Sequence, residues 1–289
     1  IEPPRRHYHC PRDRRAPRID RASALHCAPF RATAGPDVHP APQDPAFAGV
    51  AERLAGLRTR IADAEAAAGR APGSVTLVAV GKTFGPAALR AAADAGVEAF
   101  GENYLQEALA KQDALSDLAL EWHFIGAVQS RKARTIAERF DWVHTIDRAK
   151  VARRLADGRP PDRGPLEVCI QVNPDGEASK AGVAPEEVPE LAATIRERPA
   201  LRLRGLMAIP APRSDPAAQR AVFERIATLA AELRTRVPAA EAGVLDVLSL
   251  GMSGDLEAAI AAGATHVRVG SALFGPRPSA PAAVQGADP

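Results

Sequence analysis

A lysine directly after an apolar, β-rich segment is the first residue whose type and position could do chemistry. Lys82 follows the segment VTLVAV and one glycine, so we expect it at the end of a buried strand. Desolvation at such a place lowers the pKa of an amine and leaves it neutral, able to attack a carbonyl carbon. A strand-end lysine that only reaches solvent or pairs with an acid is the alternative, and position alone does not decide between them.

Two glycine turns near the carboxyl terminus predict a phosphate site. The segment LSLGMSGDLEAAI indicates a strand, a glycine turn and a helix that begins near Ser253 and Gly254, with Ser253 as its N-cap. The segment VRVGSALFG repeats this arrangement, with Gly270 allowing a close backbone approach and Ser271 offering a second hydroxyl. Capping and tight turns alone could explain either segment, but two of them on the last two strands favour a bound phosphate.

Arg268 is predicted to lie in the interior of the fold. Side chains alternate along the strand THVRVG, so Arg268 shares a face with Gly270 while Val267 and Val269 take the other face. A guanidinium in the interior must be satisfied by an acid, a carbonyl or a ligand acceptor. A structural Arg–Asp pair and a ligand contact explain this residue equally well.

Two polar residues in the segment FGENY are candidates for supporting roles. Glu102 is the natural anion near Lys82, although a surface salt bridge is equally plausible. Asn103 could bind a hydroxyl of a ligand ring or could cap the helix that follows.

Histidines do not predict a catalytic or metal site. His123, His144 and His266 are on three separate strands, and none has a neighbour at ligand spacing. We expect His123, inside the strand EWHFI, to be a satisfied core residue. The sequence therefore predicts no metal.

These candidates are positioned by eight β-rich segments that alternate with amphipathic, Ala- and Leu-rich segments. The predicted strands are Val75–Val80, Val97–Phe100, Glu121–Ile125, Trp142–Thr145, Leu166–Val172, Leu203–Ile209, Val244–Leu250 and Thr265–Val269. The clearest helices are Ala46–Arg70, with Phe47, Val50, Leu54, Leu57 and Ile61 on one face, and Pro86–Ala95, Ala217–Arg236 and Asp255–Ala262.

Eight alternating units of this kind predict a single (β/α)8 barrel of the TIM type, an α/β fold. An open doubly wound sheet would need a G-x-G-x-x-G loop after its first strand, and VTLVAVGKTFG lacks one. Active sites of barrels lie at the carboxyl ends of the strands, where the candidates above would converge.

Composition narrows the class of protein. With 46% hydrophobic and 25% charged residues and a net charge of +2, the chain has neither a nucleic-acid-binding nor a membrane-binding profile. The three cysteines, Cys10, Cys27 and Cys169, form no metal cluster or disulfide framework, which is typical of the cytoplasm.

The ends of the chain differ from its middle. Residues 1–43, rich in Arg, Pro and His, are predicted to be a disordered extension, with a nucleic-acid-binding arm as the less favoured alternative. We expect the barrel to occupy residues 44–278 and a flexible tail to follow over 279–289.

Eight motifs together resemble the pyridoxal phosphate homeostasis proteins, the YggS-like family, in order and with compact spacing from Ala46 to Gly275. They are AVGKT, FGENYLQEA, EWHFIGAVQSRK, HTID, EASKAG, LRLRGLMAIPAP, LSLGMSGDLEAAIAAG and VRVGSALFG. The resemblance implies a barrel like the alanine racemase N-terminal domain. It also implies that the protein binds pyridoxal 5'-phosphate (PLP) as an internal aldimine on Lys82 and serves in homeostasis or delivery of this cofactor.

The resemblance assigns the other site residues as well. Ser253, Gly270 and Ser271 would hold the phosphate, Asn103 and Met252 would line the ring, and Arg268 would face the pyridine nitrogen. An arginine at that nitrogen would keep it unprotonated and make the cofactor a poor electron sink.

This chain departs from the family pattern at three positions. Gly81 stands where Ser is common, Ser271 where Thr is common and Arg131 where Asn is common. Ser271 retains a hydroxyl for the phosphate, whereas Gly81 is expected to loosen the strand end that positions Lys82.

A cofactor carrier and a PLP-dependent amino-acid racemase are the two classes of function to separate. Racemisation needs two opposed bases, and in the racemases a tyrosine from a second domain is the partner of the lysine. The sequence holds only Tyr8, in the predicted extension, and Tyr104, and it ends soon after the barrel. We therefore expect a carrier that has no catalytic residues, acts as a monomer, and has PLP-dependent apoenzymes as its transient partners.

Overall fold

Eight parallel strands, each buried on both faces, form the centre of the molecule. The computed structural model describes residues 49–177, 180–238 and 244–276. The strands are β1 Thr76–Val80, β2 Ala99–Glu102, β3 Glu121–Phe124, β4 Trp142–Ile146, β5 Leu166–Val172, β6 Leu201–Ala208, β7 Val247–Ser249 and β8 His266–Val269. They pair in chain order, and β8 closes the barrel on β1 with Thr76 opposite His266 and Ala79 opposite Val269. The predicted (β/α)8 barrel is confirmed.

Helices cover the outside of the barrel. In the described ranges they are α1 Val50–Ala67, α2 Pro86–Asp94, α3 Leu105–Ala114, α4 Ala133–Arg139, α5 Ala149–Gly158, α6 Val188–Arg196, α7 Pro216–Thr235, α8 Leu256–Ala261 and α9 Ser271–Phe274. Helix α1 buries Val50, Leu54, Leu57 and Ile61, which is the face that the spacing predicts. It packs against α2, α8 and α9.

The core has two parts because successive strand residues point to opposite faces of the sheet. One face of each strand packs under the helices, as Val267 and Val269 of β8 do. The other face fills the barrel, where Trp142, Cys169, Met207 and Val247 form a separate apolar cluster. Burial raises the pKa of the Cys169 thiol to about 12, so this thiol is unreactive near neutral pH.

Strand β2 begins two residues later than predicted because Val97 belongs to the end of the preceding helix. The Val97 N–H donates to the Ala92 carbonyl, and Gly96 takes a φ of 91° to allow this. A hydrophobic residue just after such a glycine is typical of a helix C-terminus. The strand therefore runs on through Gly101 and Glu102 instead.

The predicted disordered extension over 1–43 and the tail over 279–289 lie outside the described residues, as does Phe47. Within the described ranges, every helix is too short or too polar to cross a bilayer.

Candidate functional site

A cavity of about 230 Å³ opens at the carboxyl ends of the strands. All seven residues that the sequence assigns to cofactor binding line this cavity: Lys82, Asn103, Met252, Ser253, Arg268, Gly270 and Ser271. The other lining residues are Val80, Ile125, Ile209 and Gly254, which sequence reasoning did not single out. The three apolar ones could have been found, since each lies at or just past the end of a predicted strand.

Lys82 reaches the cavity because of strand alternation. Val78 and Val80 of β1 lie on the inner face of the barrel, and Val80 lines the cavity. Two residues further on, the same alternation brings Lys82 to the inner side. Thr83 then takes a left-handed conformation, φ 71°, which is rare for a β-branched residue and turns the chain away sharply. Its N–H donates to Glu107 Oε2 at 3.1 Å, and this bond helps to hold the turn.

Glu102 is not among the residues that line the cavity. The surface ion pair considered for it is wrong, and its role as an anion near Lys82 stays a prediction. Its side chain is fully buried on the outer face of β2 and pairs with Lys111 of α3, with 2.8 Å between Oε1 and Nζ. Lys111 Nζ also donates to the Gly81 carbonyl at 2.8 Å. Burial raises the pKa of Glu102 to about 7, and Lys111 opposes this shift.

Gly81 leaves the space that this ion pair occupies. A Cβ at Gly81 would lie 2.6 Å from Glu102 Oε1 and 3.0 Å from Leu89 Cδ1. The Gly81 N–H donates to the Gly101 carbonyl, and its own carbonyl accepts from Phe84 as well as from Lys111. The strand end before Lys82 is therefore fixed by hydrogen bonds, and whether glycine loosens it stays a prediction.

Asn103 lines the cavity and carries an unsatisfied side-chain oxygen. Its Oδ1 is buried and has no hydrogen-bond partner among the described residues. The alternative role as a helix cap is not observed, because α3 begins at Leu105 with Tyr104 as its N-cap and no side-chain cap. The Asn103 backbone packs against Gly126, where a Cβ would lie 2.1 Å from the Asn103 carbonyl oxygen. A buried amide oxygen without a partner indicates a position for a ligand donor.

The loop after β7 is shaped by Gly251 and Asp255. Gly251 has a φ of 85°, and a Cβ there would lie 2.6 Å from the Cβ of Ala259. The prediction that Ser253 is the N-cap of the next helix is wrong, because α8 begins at Leu256 with Asp255 as its N-cap. Asp255 Oδ1 instead accepts from the Met252 N–H at 2.6 Å. Asp255 therefore holds the loop by this hydrogen bond. Ser253 does not cap the helix and lines the cavity instead.

The two final loops bring two hydroxyls together. Ser271 Oγ lies 3.5 Å from Ser253 Oγ, although the residues are 18 positions apart in the chain. Gly270 packs closely against the end of β1, since a Cβ there would lie 3.2 Å from the Val80 carbonyl oxygen. Arg60 of α1 donates to the Ser253 carbonyl at 3.2 Å and braces the first loop from outside.

Arg268 lies inside the barrel, on the face predicted for it. Its Nη1 donates to the carbonyl and the hydroxyl of Ser249 at 2.6 and 2.7 Å, and its Nη2 donates to the Ala208 carbonyl at 3.1 Å. The structural Arg–Asp pair is not what holds this residue, because neutral oxygens are its hydrogen-bond partners. Burial lowers the pKa of Arg268 to about 10, so the guanidinium stays charged near neutral pH.

The barrel also brings together the three histidines that the sequence separates. The ring centres of His123 and His144 are 5.1 Å apart, and His266 lies 6.3 and 6.1 Å from them. Chain spacing does not predict this cluster, because the three histidines meet only through the inner faces of strands that the closed barrel sets opposite one another. Among the described residues, no group of three or more His, Cys, Asp or Glu side chains is arranged to hold a metal ion.

A larger cleft of about 700 Å³ lies at the opposite, amino-terminal end of β1 to β3. Its lining includes Arg58, Glu65, Glu98 and Glu121, but none of the residues predicted to bind the cofactor. Because barrels carry their chemistry at the carboxyl end, the smaller cavity is the candidate site.

The fold and the site together define a class. Residues 54–278 match the family model described as "Alanine racemase, N-terminal domain". The chain is thus a barrel protein of the alanine racemase N-terminal domain class, as the sequence predicts.

Comparison with individual relatives identifies the family within that class. The pyridoxal phosphate homeostasis protein of Pseudomonas aeruginosa is 55% identical over 79% of this chain and 96% of its own length. That of Escherichia coli K12 is 51% identical over 79% and 97%. A solved structure of PipY from Synechococcus elongatus with PLP bound is 39% identical, covers 78% of this chain and all of PipY, and has a TM-score of 0.68. The chain belongs to the pyridoxal phosphate homeostasis protein family.

Proposed function

We propose that this protein binds PLP covalently through Lys82 and serves in the intracellular homeostasis of the cofactor. The observation that carries the proposal is the convergence, in one cavity, of a lysine, a buried arginine and two adjacent serine hydroxyls. The names of the relatives and the PLP in the PipY structure support the same function.

The residues of the cavity fit the cofactor group by group. PLP carries an aldehyde, a ring hydroxyl, a ring nitrogen and a phosphate. Lys82 offers an amine to the aldehyde, and Asn103 has a buried polar atom without a described partner for the hydroxyl. The serine pair offers two hydroxyls to the phosphate. Met252 and Ile209 supply apolar surface for the ring.

Bound PLP supplies an aldehyde carbon that an amine can attack and a ring that can withdraw electrons from it. Lys82 would hold the cofactor through a bond from its ε-amine to this carbon, with loss of water. Arg268, which can only donate hydrogen bonds, would favour the unprotonated form of the ring nitrogen. That weakens electron withdrawal by the ring, which suits storage of the cofactor better than turnover of amino acids.

A carrier explains the site better than a racemase does. Tyr104 is 57% exposed and is not among the residues that line the cavity. Tyr8 lies outside the described residues, so in the described part of the chain Lys82 has no tyrosine opposite it across the cavity. We therefore propose that the protein carries no racemase activity and that it delivers PLP, as a monomer, to PLP-dependent apoenzymes.

A titration of the purified full-length chain with PLP tests the proposed function. We expect a visible absorption band that saturates at one PLP per chain, and borohydride should fix the cofactor to the tryptic peptide that contains Lys82. Holo protein mixed with an apoenzyme should restore the activity of that enzyme, whereas racemisation of alanine should stay at the rate of a buffer blank. Absence of the band would overturn the proposal, and racemisation above the blank would favour the alternative.

The serine pair is expected to contribute to affinity through the phosphate alone. Replacing Ser253 or Ser271 by alanine removes one hydrogen bond to a charged group, which corresponds to a loss of about tenfold or more in PLP affinity. Affinity for pyridoxal, which lacks the phosphate, should stay unchanged in both variants and is the internal control. If Ser253→Ala and Ser271→Ala weaken pyridoxal and PLP equally, the pair does not contact the phosphate.

A further inference from the structure

A row of polar side chains crosses the interior of the barrel below the cavity. Glu121 and His123 are on the inner face of β3, His144 on β4, Ser249 on β7 and Arg268 on β8. Adjacent members are within hydrogen-bond distance: Glu121 Oε1 to His123 Nε2 at 2.7 Å, His123 Nδ1 to His144 Nε2 at 2.9 Å, and His144 Nδ1 to Ser249 Oγ at 2.8 Å. Arg268 Nη1 completes the row at 2.7 Å from Ser249 Oγ.

With both imidazoles neutral, the two ends of this row determine the direction of every hydrogen bond within it. The Arg268 guanidinium can only donate, so the Ser249 hydroxyl oxygen accepts from it. The Glu121 carboxylate can only accept, so His123 carries its proton on Nε2. A neutral His123 then accepts at Nδ1, which requires the proton of His144 to be on Nε2 as well. His144 Nδ1 is left as an acceptor for the Ser249 hydroxyl proton.

Burial and nearby charges both favour a neutral imidazole at the centre of the row. Burial lowers the pKa of His144 well below its ordinary value, and His123, His266 and Arg268 lower it further. The hydrogen bond from His123 lowers the pKa of Glu121, which keeps the carboxylate ionised. The third histidine, His266, is bonded to Thr265 Oγ1 at 3.0 Å, outside the row.

We propose that Ser249, His144, His123 and Glu121 form a directional hydrogen-bond chain that positions Arg268 at the base of the cofactor cavity. The ordered hydroxyl proton of Ser249 points to His144, so its lone pairs face Arg268 and fix the guanidinium. Glu121 anchors the chain at the other end of the barrel, where it also lines the larger cleft. Ser249 and His144 are thus positioning residues, and their effect on PLP rests on the proposed function.

Nitrogen-15 NMR of histidines in the full chain without PLP tests the direction of the chain. We expect His123 and His144 both to be neutral with the proton on Nε2. Glu121→Gln retains an acceptor oxygen and should leave these tautomers in place, whereas Glu121→Leu removes it and should release His123 from the Nε2–H form. A proton on His144 Nδ1 in the wild type would overturn the proposal.

A second set of measurements tests whether Ser249 positions Arg268. Ser249→Ala should reduce the exchange protection of the Arg268 guanidinium protons in the apo protein, although the bonds to the Ser249 and Ala208 carbonyls remain. It should also weaken PLP binding by about tenfold, the effect of one lost hydrogen bond to a charged group, and shift the absorption maximum of the bound cofactor. The control is His266→Met, which alters an imidazole in the same cluster but outside the chain. It should leave Arg268 protection and PLP affinity within about twofold of wild type.

The outcomes separate this proposal from the function itself. A wild type that binds no PLP overturns the proposed function. The histidine tautomers and the exchange protection of Arg268 still test the hydrogen-bond chain in that case, because both are measured in the apo protein. Equal effects of Ser249→Ala and His266→Met on Arg268 protection would show general packing damage and overturn the positioning role.

Discussion

Replacing Lys82 by alanine is expected to abolish the visible band and the borohydride-fixed adduct that PLP gives with the wild type. No other described residue that lines the cavity carries an amine, so the covalent bond has no substitute there. The proposed phosphate contacts and Arg268 stay in place, and the variant should therefore still bind PLP reversibly. We expect its affinity, measured by equilibrium dialysis, to fall by about a hundredfold or more, which corresponds to about 3 kcal/mol.

Lys150→Ala is the matched control for this variant, since Lys150 is exposed on α5 and is not among the residues that line the cavity. It should retain the band, the adduct and the wild-type affinity. If Lys82→Ala keeps a borohydride-fixed adduct on another lysine at one per chain, Lys82 is not the attachment residue. Melting temperatures without PLP should match between the two variants, which separates loss of the bond from loss of the fold.

The barrel could be predicted from the sequence because its strands are short, apolar and regularly spaced. Parallel strands buried on both faces need no polar alternation, and runs such as VTLVAV and LEVCIQV show this directly. The predicted strand boundaries are less accurate where a residue typical of strands belongs to the end of a helix. Val97 is apolar and β-branched, but its N–H is used to close α2.

For the candidate site too, some residues could be predicted from the sequence and others could not. Lys82, Ser253 and Arg268 could be placed because each follows from position on a strand or just after one. Partners contributed by distant parts of the chain could not be placed. The pairing of Glu102 with Lys111 depends on which face of β2 meets α3, and the predicted strand ended at Phe100, before Glu102. The histidine row depends on inner faces of four strands, which only the closed barrel sets opposite one another.

Replacing Lys111 by methionine is expected to lower the free energy of unfolding by roughly 3–5 kcal/mol at pH 8, because it leaves a buried carboxylate without its cation. Glu102 is fully buried, and its Oε2 already has no partner among the described residues. The double variant Glu102→Leu with Lys111→Met removes both charges and should recover most of the loss. Urea unfolding followed by circular dichroism measures all three proteins, and Lys150→Met serves as the surface control.

The same pair makes stability depend on pH in a direction opposite to that of an ordinary salt-bridged acid. The pKa of Glu102 is about 7 in the folded protein against an ordinary 4.5, so the folded state holds this proton more tightly than the unfolded state. Its contribution to the free energy of unfolding therefore falls as pH rises from 4.5 to 7 and is constant below and above that window. The change amounts to about 3 kcal/mol for a shift of this size.

Glu102→Gln should remove this pH dependence, so that the difference in free energy of unfolding between wild type and variant changes between pH 4.5 and pH 8. A difference that stays constant across this range would show that Glu102 does not titrate there. Lys111→Met should extend the fall to higher pH, since the carboxylate then lacks the charge that opposes its rise.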